Sequence, residues 1–249
     1  METGNNLAER IILITGAAGS LGSVAAMACA HAGAQLILLD KEPGPLEQLY
    51  DSIVSANCLP PALYPLDLGQ SGEQDYNDLS DAIDKEFGKL HGLLHSAAEL
   101  GTLSPLSQVG ESEWNRLITV NLTAAHLLTR AVLPLLALGS DSRIVFTTDS
   151  SARLGNAYWG AYGVAKIALE GMAGILAREQ ESAGKVGVNI LAPGPVQSRM
   201  RRRSHPGEPV ETLPSAASLA RHYLFLLGPA SRGVNGQLIE AWNKAPLPE

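Results

Sequence analysis

Cysteine is nearly absent. Cys29 and Cys58 are the only two in 249 residues, and neither stands in a Cys-x-x-Cys or Cys/His ligand spacing. No disulfide and no metal site is therefore expected, and each thiol lies in or beside an apolar run where burial is ordinary. A basic excess is also missing: 18 Lys and Arg face 25 Asp and Glu, for a net charge of −7. That balance argues against a nucleic-acid or anionic-membrane partner, which would need the opposite sign. No uninterrupted apolar run reaches the roughly 18 residues of a membrane span, and Met1–Asn6 lacks the basic-then-apolar order of a signal peptide, so a cytoplasmic location is expected. Aromatics make up only 5% of the chain, too few for an aromatic pocket signature that would name a substrate. Repeats, low-complexity segments and interdomain linkers are absent too. With 45% apolar residues the chain can bury one large core, and a single domain over 1–249 is expected, with short disordered termini at 1–8 and 243–249.

What is present is alternation. Arg10–Thr15 is a β-branched run followed by a Gly-containing turn, then an Ala-rich helical stretch from Leu21 to Ala32 and a second apolar run, Gln35–Leu39, ending in Asp40. This is one βαβ unit with parallel strands. The pattern continues with helices near Gly44–Ser55 and Glu73–Phe87 and strands near Ala62–Leu66 and Leu90–His95. A long helix, Glu111–Leu136, is expected to bend or end near Pro134. Strand Arg143–Thr148, a helix ending near Ser182, strand Gly187–Leu191, helix Ala216–Leu227 and strand Gln237–Ala241 complete an α/β, doubly wound sheet. In such sheets ligands gather beyond the carboxyl ends of the strands, where Gly16, Asp40, Asp67, Ser96, Asp149 and Pro193 all fall.

The first strand-helix loop, Thr15-Gly16-Ala17-Ala18-Gly19-Ser20-Leu21-Gly22, is built of small residues that let backbone N–H groups approach a pyrophosphate at the positive end of the helix. It reads as a dinucleotide loop, or as one of the Gly-Ala turns common in α/β proteins. Asp40 follows Gly22 at a spacing suited to accepting hydrogen bonds from adenosine ribose hydroxyls, or it is a turn residue. A carboxylate there repels a 2′-phosphate while Lys41 offsets it, so charge favours NAD(H) and leaves NADP(H) possible. Further on, Tyr162 and Lys166 stand one helical turn apart on one face. A phenol titrates near about 10, and an adjacent Lys⁺ lowers that value toward acid-base use; the alternative is a packed Tyr beside a solvated Lys.

Taken together these residues resemble the short-chain dehydrogenase/reductase family over nearly the whole chain. Within it the chain is similar to the bacterial YciK-type oxidoreductase subgroup, through Val145-Phe146-Thr147, Tyr158-Trp159-Gly160-Ala161-Tyr162-Gly163 and Gln197-Ser198-Arg199-Met200-Arg201. The resemblance implies a single-domain Rossmann fold with a seven-stranded parallel sheet. It implies a nucleotide loop including Gly16, Ala18, Gly19, Ser20, Leu21 and Gly22, with Asp40 and Lys41 at the ribose. Asp67 and Leu68 would meet the adenine, Ser96, Ala97 and Ala98 would line the pocket, and Pro193, Gly194, Val196 and Ser198 would border the nicotinamide. It implies Tyr162 as proton donor and acceptor, Lys166 lowering its pKa and holding the nicotinamide ribose, and Asn121 holding a water that links Lys166 to solvent. The expected substrate is a small-molecule carbonyl or alcohol, and the expected assembly a homodimer or homotetramer.

Three positions depart from the family pattern. Ser20 stands where Gly is usual, adding a hydroxyl near the pyrophosphate, and Ser96-Ala97-Ala98 replaces Asn-Ala-Gly, which would loosen the pocket. Asp149 occupies the place of the catalytic serine, thirteen residues before Tyr162, with Ser150 and Ser151 after it. Two negative charges about 4 Å apart at an effective dielectric near 20 repel by about 4 kcal/mol, roughly three pKa units. Asp149 avoids opposing Lys166 if it is protonated, pairs with Arg153, turns aside so that Ser150 supplies the hydroxyl, or meets a cationic or hydroxyl-rich substrate. Otherwise the protein binds a dinucleotide or a protein partner without turnover. The basic run Arg199–Arg203 is expected in a mobile substrate loop, either clamping an anion or facing water.

Overall fold

The computed structural model describes residues 6–242 and 247. The apolar runs become seven parallel strands: β1 (Ile11–Thr15), β2 (Gln35–Asp40), β3 (Ala62–Pro65), β4 (Gly92–His95), β5 (Ser142–Thr147), β6 (Val186–Ala192) and β7 (Leu238–Glu240). They lie in the order β3-β2-β1-β4-β5-β6-β7. β1 pairs with β2 on one side and β4 on the other, Ile14 opposite Leu38 and Leu94. The chain therefore reverses its winding between β1 and β4, and the connections after those strands diverge to leave a crevice.

Side chains alternate across each strand, so one strand feeds two cores. Ile12 and Ile14 of β1 join Leu36, Leu38, Leu94 and Val145 under α1 (Gly22–His31), α2 (Pro43–Ser55) and α9 (Ala220–Leu227). Leu13 joins Ile37, Leu93, Ile144 and Phe146 under α3 (Glu73–Phe87), α5 (Ala124–Leu138) and α7 (Gly160–Glu181). Cys29 is fully buried on α1 and Cys58 half-buried, both as free thiols.

Several boundaries differ from expectation. β4 starts at Gly92 because the Leu90 N–H bonds the carbonyl of Leu135 in α5. The long helix is not ended by Pro134: α5 runs on to Leu138, held by Leu135 and Leu136 in the core. Its irregularity lies earlier, in a π turn at Thr119–Thr123 that joins α4 (Glu111–Ile118) to α5. By length and composition Glu111–Leu138 is apolar enough to cross a membrane, but Leu128, Val132 and Leu136 are buried against the sheet. The basic run expected as a loop folds into a short helix, α8 (Arg199–Ser204), whose start is capped by Ser198 Oγ accepting the Arg201 N–H at 3.0 Å. Of the termini expected to be disordered, 1–5, 243–246 and 248–249 lie outside the described residues. Leu7 is fully buried, and its N–H bonds the Ala32 carbonyl at 2.8 Å.

Candidate active site

The loop after β1 folds tightly because glycines allow it. Gly16 has φ +62°, and a Cβ there would sit 2.6 Å from the Ala97 Cα; one on Gly22 would sit 2.1 Å from the Gly16 carbonyl oxygen. The Gly19 N–H closes the turn onto that same carbonyl at 2.9 Å. Beside the turn, Thr15 Oγ1 accepts the N–H groups of Ser96 and Ala97, both at 3.2 Å. This hydroxyl, which sequence reasoning missed, ties the end of β4 to β1, so the Ser96-Ala97-Ala98 segment is braced where loosening was expected.

Asp40 is turned inward. Its Oδ2 accepts the Ala18 N–H at 3.0 Å and its Oδ1 accepts its neighbour Lys41's N–H at 2.8 Å. The first contact braces the loop, each oxygen keeps further accepting capacity, and the Lys41 side chain is exposed at the rim. Asp67 is engaged likewise, accepting the Gly69 N–H at 2.9 Å and the Gln70 amide at 3.0 Å. Leu68 is buried next to it.

α7 presents Tyr162, Lys166, Leu169, Ala173 and Ala177 on its buried face, following helical periodicity. Tyr162 and Lys166 are 2% and 3% exposed, so the solvated-Lys alternative does not apply. Lys166 Nζ donates to the Thr147 carbonyl at 2.9 Å and lies 5.7 Å from the Tyr162 ring centre. The Tyr162 hydroxyl donates to Asp149 Oδ2 at 3.1 Å and lies 3.5 Å from Met200 Sδ. Asp149 is fixed in that pose, because its other oxygen accepts the Ser151 N–H at 2.8 Å. Arg153 does not neutralise it, being paired with Glu170 and Glu240. Ser150 lines the same cavity.

The electrostatics reverse one expectation. Burial, then the Asp149 charge and its hydrogen bond, push the Tyr162 phenol well above its ordinary value; Lys166 does not lower it. The lysine ammonium points to Thr147 and is itself pulled down to about 8 by burial, with Asp149 opposing. Asn121, 2% exposed, has its side chain fully engaged with backbone. Its Oδ1 accepts the Glu99 N–H at 3.1 Å, and its Nδ2 donates to the carbonyls of Glu99 and Leu117, both at 2.9 Å. The amide clamps the Glu99 segment to the π turn.

One cleft of about 740 Å³ gathers these parts on the carboxyl edge of the sheet. It runs from Gly16, Gly19, Ser20, Leu21 and Gly22 past Asp40, Lys41, Asp67, Leu68 and Ser96–Ala98 to Asp149, Ser150, Tyr162 and Lys166, and is bordered by Pro193, Gly194, Val196 and Ser198. Ala18 contributes its N–H to Asp40 without lining the cavity. The residues fit an elongated dinucleotide. Small residues form one end, and at the other Thr147 Oγ1 is buried with no partner among the described residues, beside a lysine with N–H donors to spare. The Thr147 carbonyl and the Trp159 ring were not anticipated at the site from sequence, since each reaches it only through tertiary packing.

Comparisons with known proteins agree with this geometry. The family model described as short chain dehydrogenase matches residues 10–209. The Escherichia coli oxidoreductase YciK is 36% identical over 235 residues, 94% of this chain and 92% of that protein. A short chain dehydrogenase structure from Pseudomonas syringae is 39% identical with a TM-score of 0.93, covering 97% of this chain and 98% of the other. A short chain dehydrogenase from Escherichia coli, solved with NADPH, is 36% identical with a TM-score of 0.92, covering 96% and 99%.

Proposed function

Because the chain belongs to the short-chain dehydrogenase family, we propose that it is an NADP(H)-dependent oxidoreductase. It moves hydride between the nicotinamide and a carbonyl carbon or secondary alcohol of a small molecule, with Tyr162 exchanging the proton. The observation that carries this reading is the single cleft joining the glycine loop to Tyr162 and Lys166. The bound dinucleotide supplies the hydride donor or acceptor. The chain's residues do the rest: the loop N–H groups and the α1 terminus receive phosphate, Lys166 and Thr147 hold polar groups at the buried end, and Tyr162 holds the proton at its hydroxyl. The site belongs to a cytoplasmic enzyme, and the exposed Val164, Ile167 and Ile175 of α7 give its expected homodimer or homotetramer an apolar face.

NADP(H) replaces the preference for NAD(H) expected from Asp40. A relative of 36% identity was solved with NADPH, and Lys41 stands exposed at the rim, where its ammonium can meet a 2′-phosphate, while Asp40 is partly engaged by the Ala18 and Lys41 N–H groups.

A panel of small ketones, aldehydes and secondary alcohols with NADP(H) tests the reading. Tyr162→Phe keeps the ring and removes the proton, so hydride transfer on any substrate found should fall by at least about 100-fold. Undiminished turnover in that variant would sink the role of Tyr162. A second reading, dinucleotide or partner binding without turnover, is favoured by the Tyr162–Asp149 contact. It predicts tight nucleotide binding with no turnover across the panel, in wild type and in Asp149→Ser alike.

A further inference from the structure

The basic segment around α8 is not uniform. Arg201 is neutralised by a two-point ion pair with Glu208, at 2.6 and 2.8 Å. Arg203 reaches only the Gly101 carbonyl, at 3.5 Å. Arg199 alone of these arginines is fastened to the nucleotide loop. Its backbone N–H donates to Ser20 Oγ at 3.0 Å, and its guanidinium donates to the Ala18 carbonyl at 3.1 Å. Both partners lie in the loop between β1 and α1, and Ala18 is the residue whose N–H holds Asp40. Next along α8, Met200 touches the Tyr162 hydroxyl. The helix thus bridges the loop and the reacting end.

We propose that Arg199 is a phosphate ligand of the dinucleotide, delivered from α8 to the loop by the Ser20 hydroxyl. This rests on the dinucleotide reading given above. A guanidinium has five N–H donors, and Ala18 takes one; the remainder face a cleft rim that also carries Asp40, Asp67 and Glu42 as negative groups and Lys41 as a positive one. A phosphate entering there meets net negative charge, and Arg199 is the cation at that rim that is fastened to the loop and lowers the repulsion, which gives the arginine its electrostatic purpose. The serine that departs from the usual glycine gains a purpose as well. Its oxygen sets where α8 begins, and its O–H remains free to donate to the same phosphate.

Calorimetric titrations of the full chain with NADPH and with NADH test this without any substrate. Arg199→Ala should weaken NADPH binding roughly tenfold at low ionic strength, less at high salt as screening takes over, and Arg199→Lys should lose only part of that. Ser20→Ala should weaken binding by a smaller factor in the wild-type background and by much less when Arg199 is already Ala, since the serine acts mainly through the arginine. Arg202→Ala, outside the cleft lining, should bind as wild type does. A loss confined to NADPH assigns the 2′-phosphate, and an equal loss for NADH assigns the pyrophosphate; either supports the proposal. NADPH binding by Arg199→Ala equal to wild type, in a variant with unchanged circular dichroism, would overturn it. Binding of neither nucleotide by the wild type would remove the dinucleotide reading and this inference with it.

Discussion

Asp149 and Tyr162 set the chemistry at the scale of single residues. A carboxylate accepting the phenol's hydrogen bond holds the proton on Tyr162, so deprotonation near neutral pH is disfavoured by burial and by charge. Asp149→Ser should remove the charge and return a neutral donor. An ultraviolet titration, with Tyr162→Phe as the subtraction, should then show the Tyr162 phenol ionising at lower pH than in wild type. Turnover near neutral pH should rise by roughly tenfold, about 1.4 kcal/mol in the barrier. A fall in turnover would instead give Asp149 a role in binding a hydroxyl-rich or cationic substrate. Lys166 makes a separate prediction through stability. Its folded value, about 8, lies below its ordinary 10.5, so between these values the folded chain binds fewer protons than the unfolded one and stability rises with pH. Tyr162, raised in the fold, opposes this above about 10, which leaves the window from about 8 to 10. Urea unfolding at both ends of that window should show wild type gaining on Lys166→Met as pH increases; a constant difference would contradict the lysine's low value. The placing of Tyr162 and Lys166 on one helix face was legible from spacing, and the intrusion of Asp149 and its upward push from the family resemblance. The larger cause of the tyrosine's shift, burial, was not, because it comes from tertiary packing.

Elements explain the two positions that spacing misjudged. Pro134 marks a helix break in sequence, yet α5 continues because its last turn is anchored in the core, and the interruption falls at Thr119–Thr123. A π turn carries no composition signal, and Asn121 within it stood out only through the family resemblance. Asn121→Ala leaves the half-buried Glu99 N–H and the Glu99 and Leu117 carbonyls without their side-chain partner. It should therefore destabilise the protein by about 1–3 kcal/mol in urea unfolding. Loss of less than a few tenths would mean that water replaces the amide. The α8 run was likewise legible only as charge, since a helix of six residues forms here through the Ser198 cap and contacts to a loop about 180 positions earlier.

For the whole molecule, the doubly wound parallel sheet and the edge that carries the site were legible in alternation, since such a sheet gathers ligands beyond its carboxyl ends, whereas the strand order came only from the folded chain. Cofactor choice did not follow. An acidic residue after β2 indicates a ribose acceptor, but in the folded chain part of its accepting capacity goes to the Ala18 and Lys41 N–H groups and the Lys41 ammonium lies exposed beside it. The hydrogen bonds that engage Asp40 come from Ala18 and Lys41, whose N–H groups carry no mark in sequence. We propose that this cleft is a nicotinamide dinucleotide site with a place for the 2′-phosphate. It is tested most directly by titrating the wild-type protein with NADPH and NADH and following nucleotide fluorescence. The account predicts saturable binding of both, with NADPH the tighter, whereas NADH binding as tightly or more tightly, or no binding of either, would contradict it.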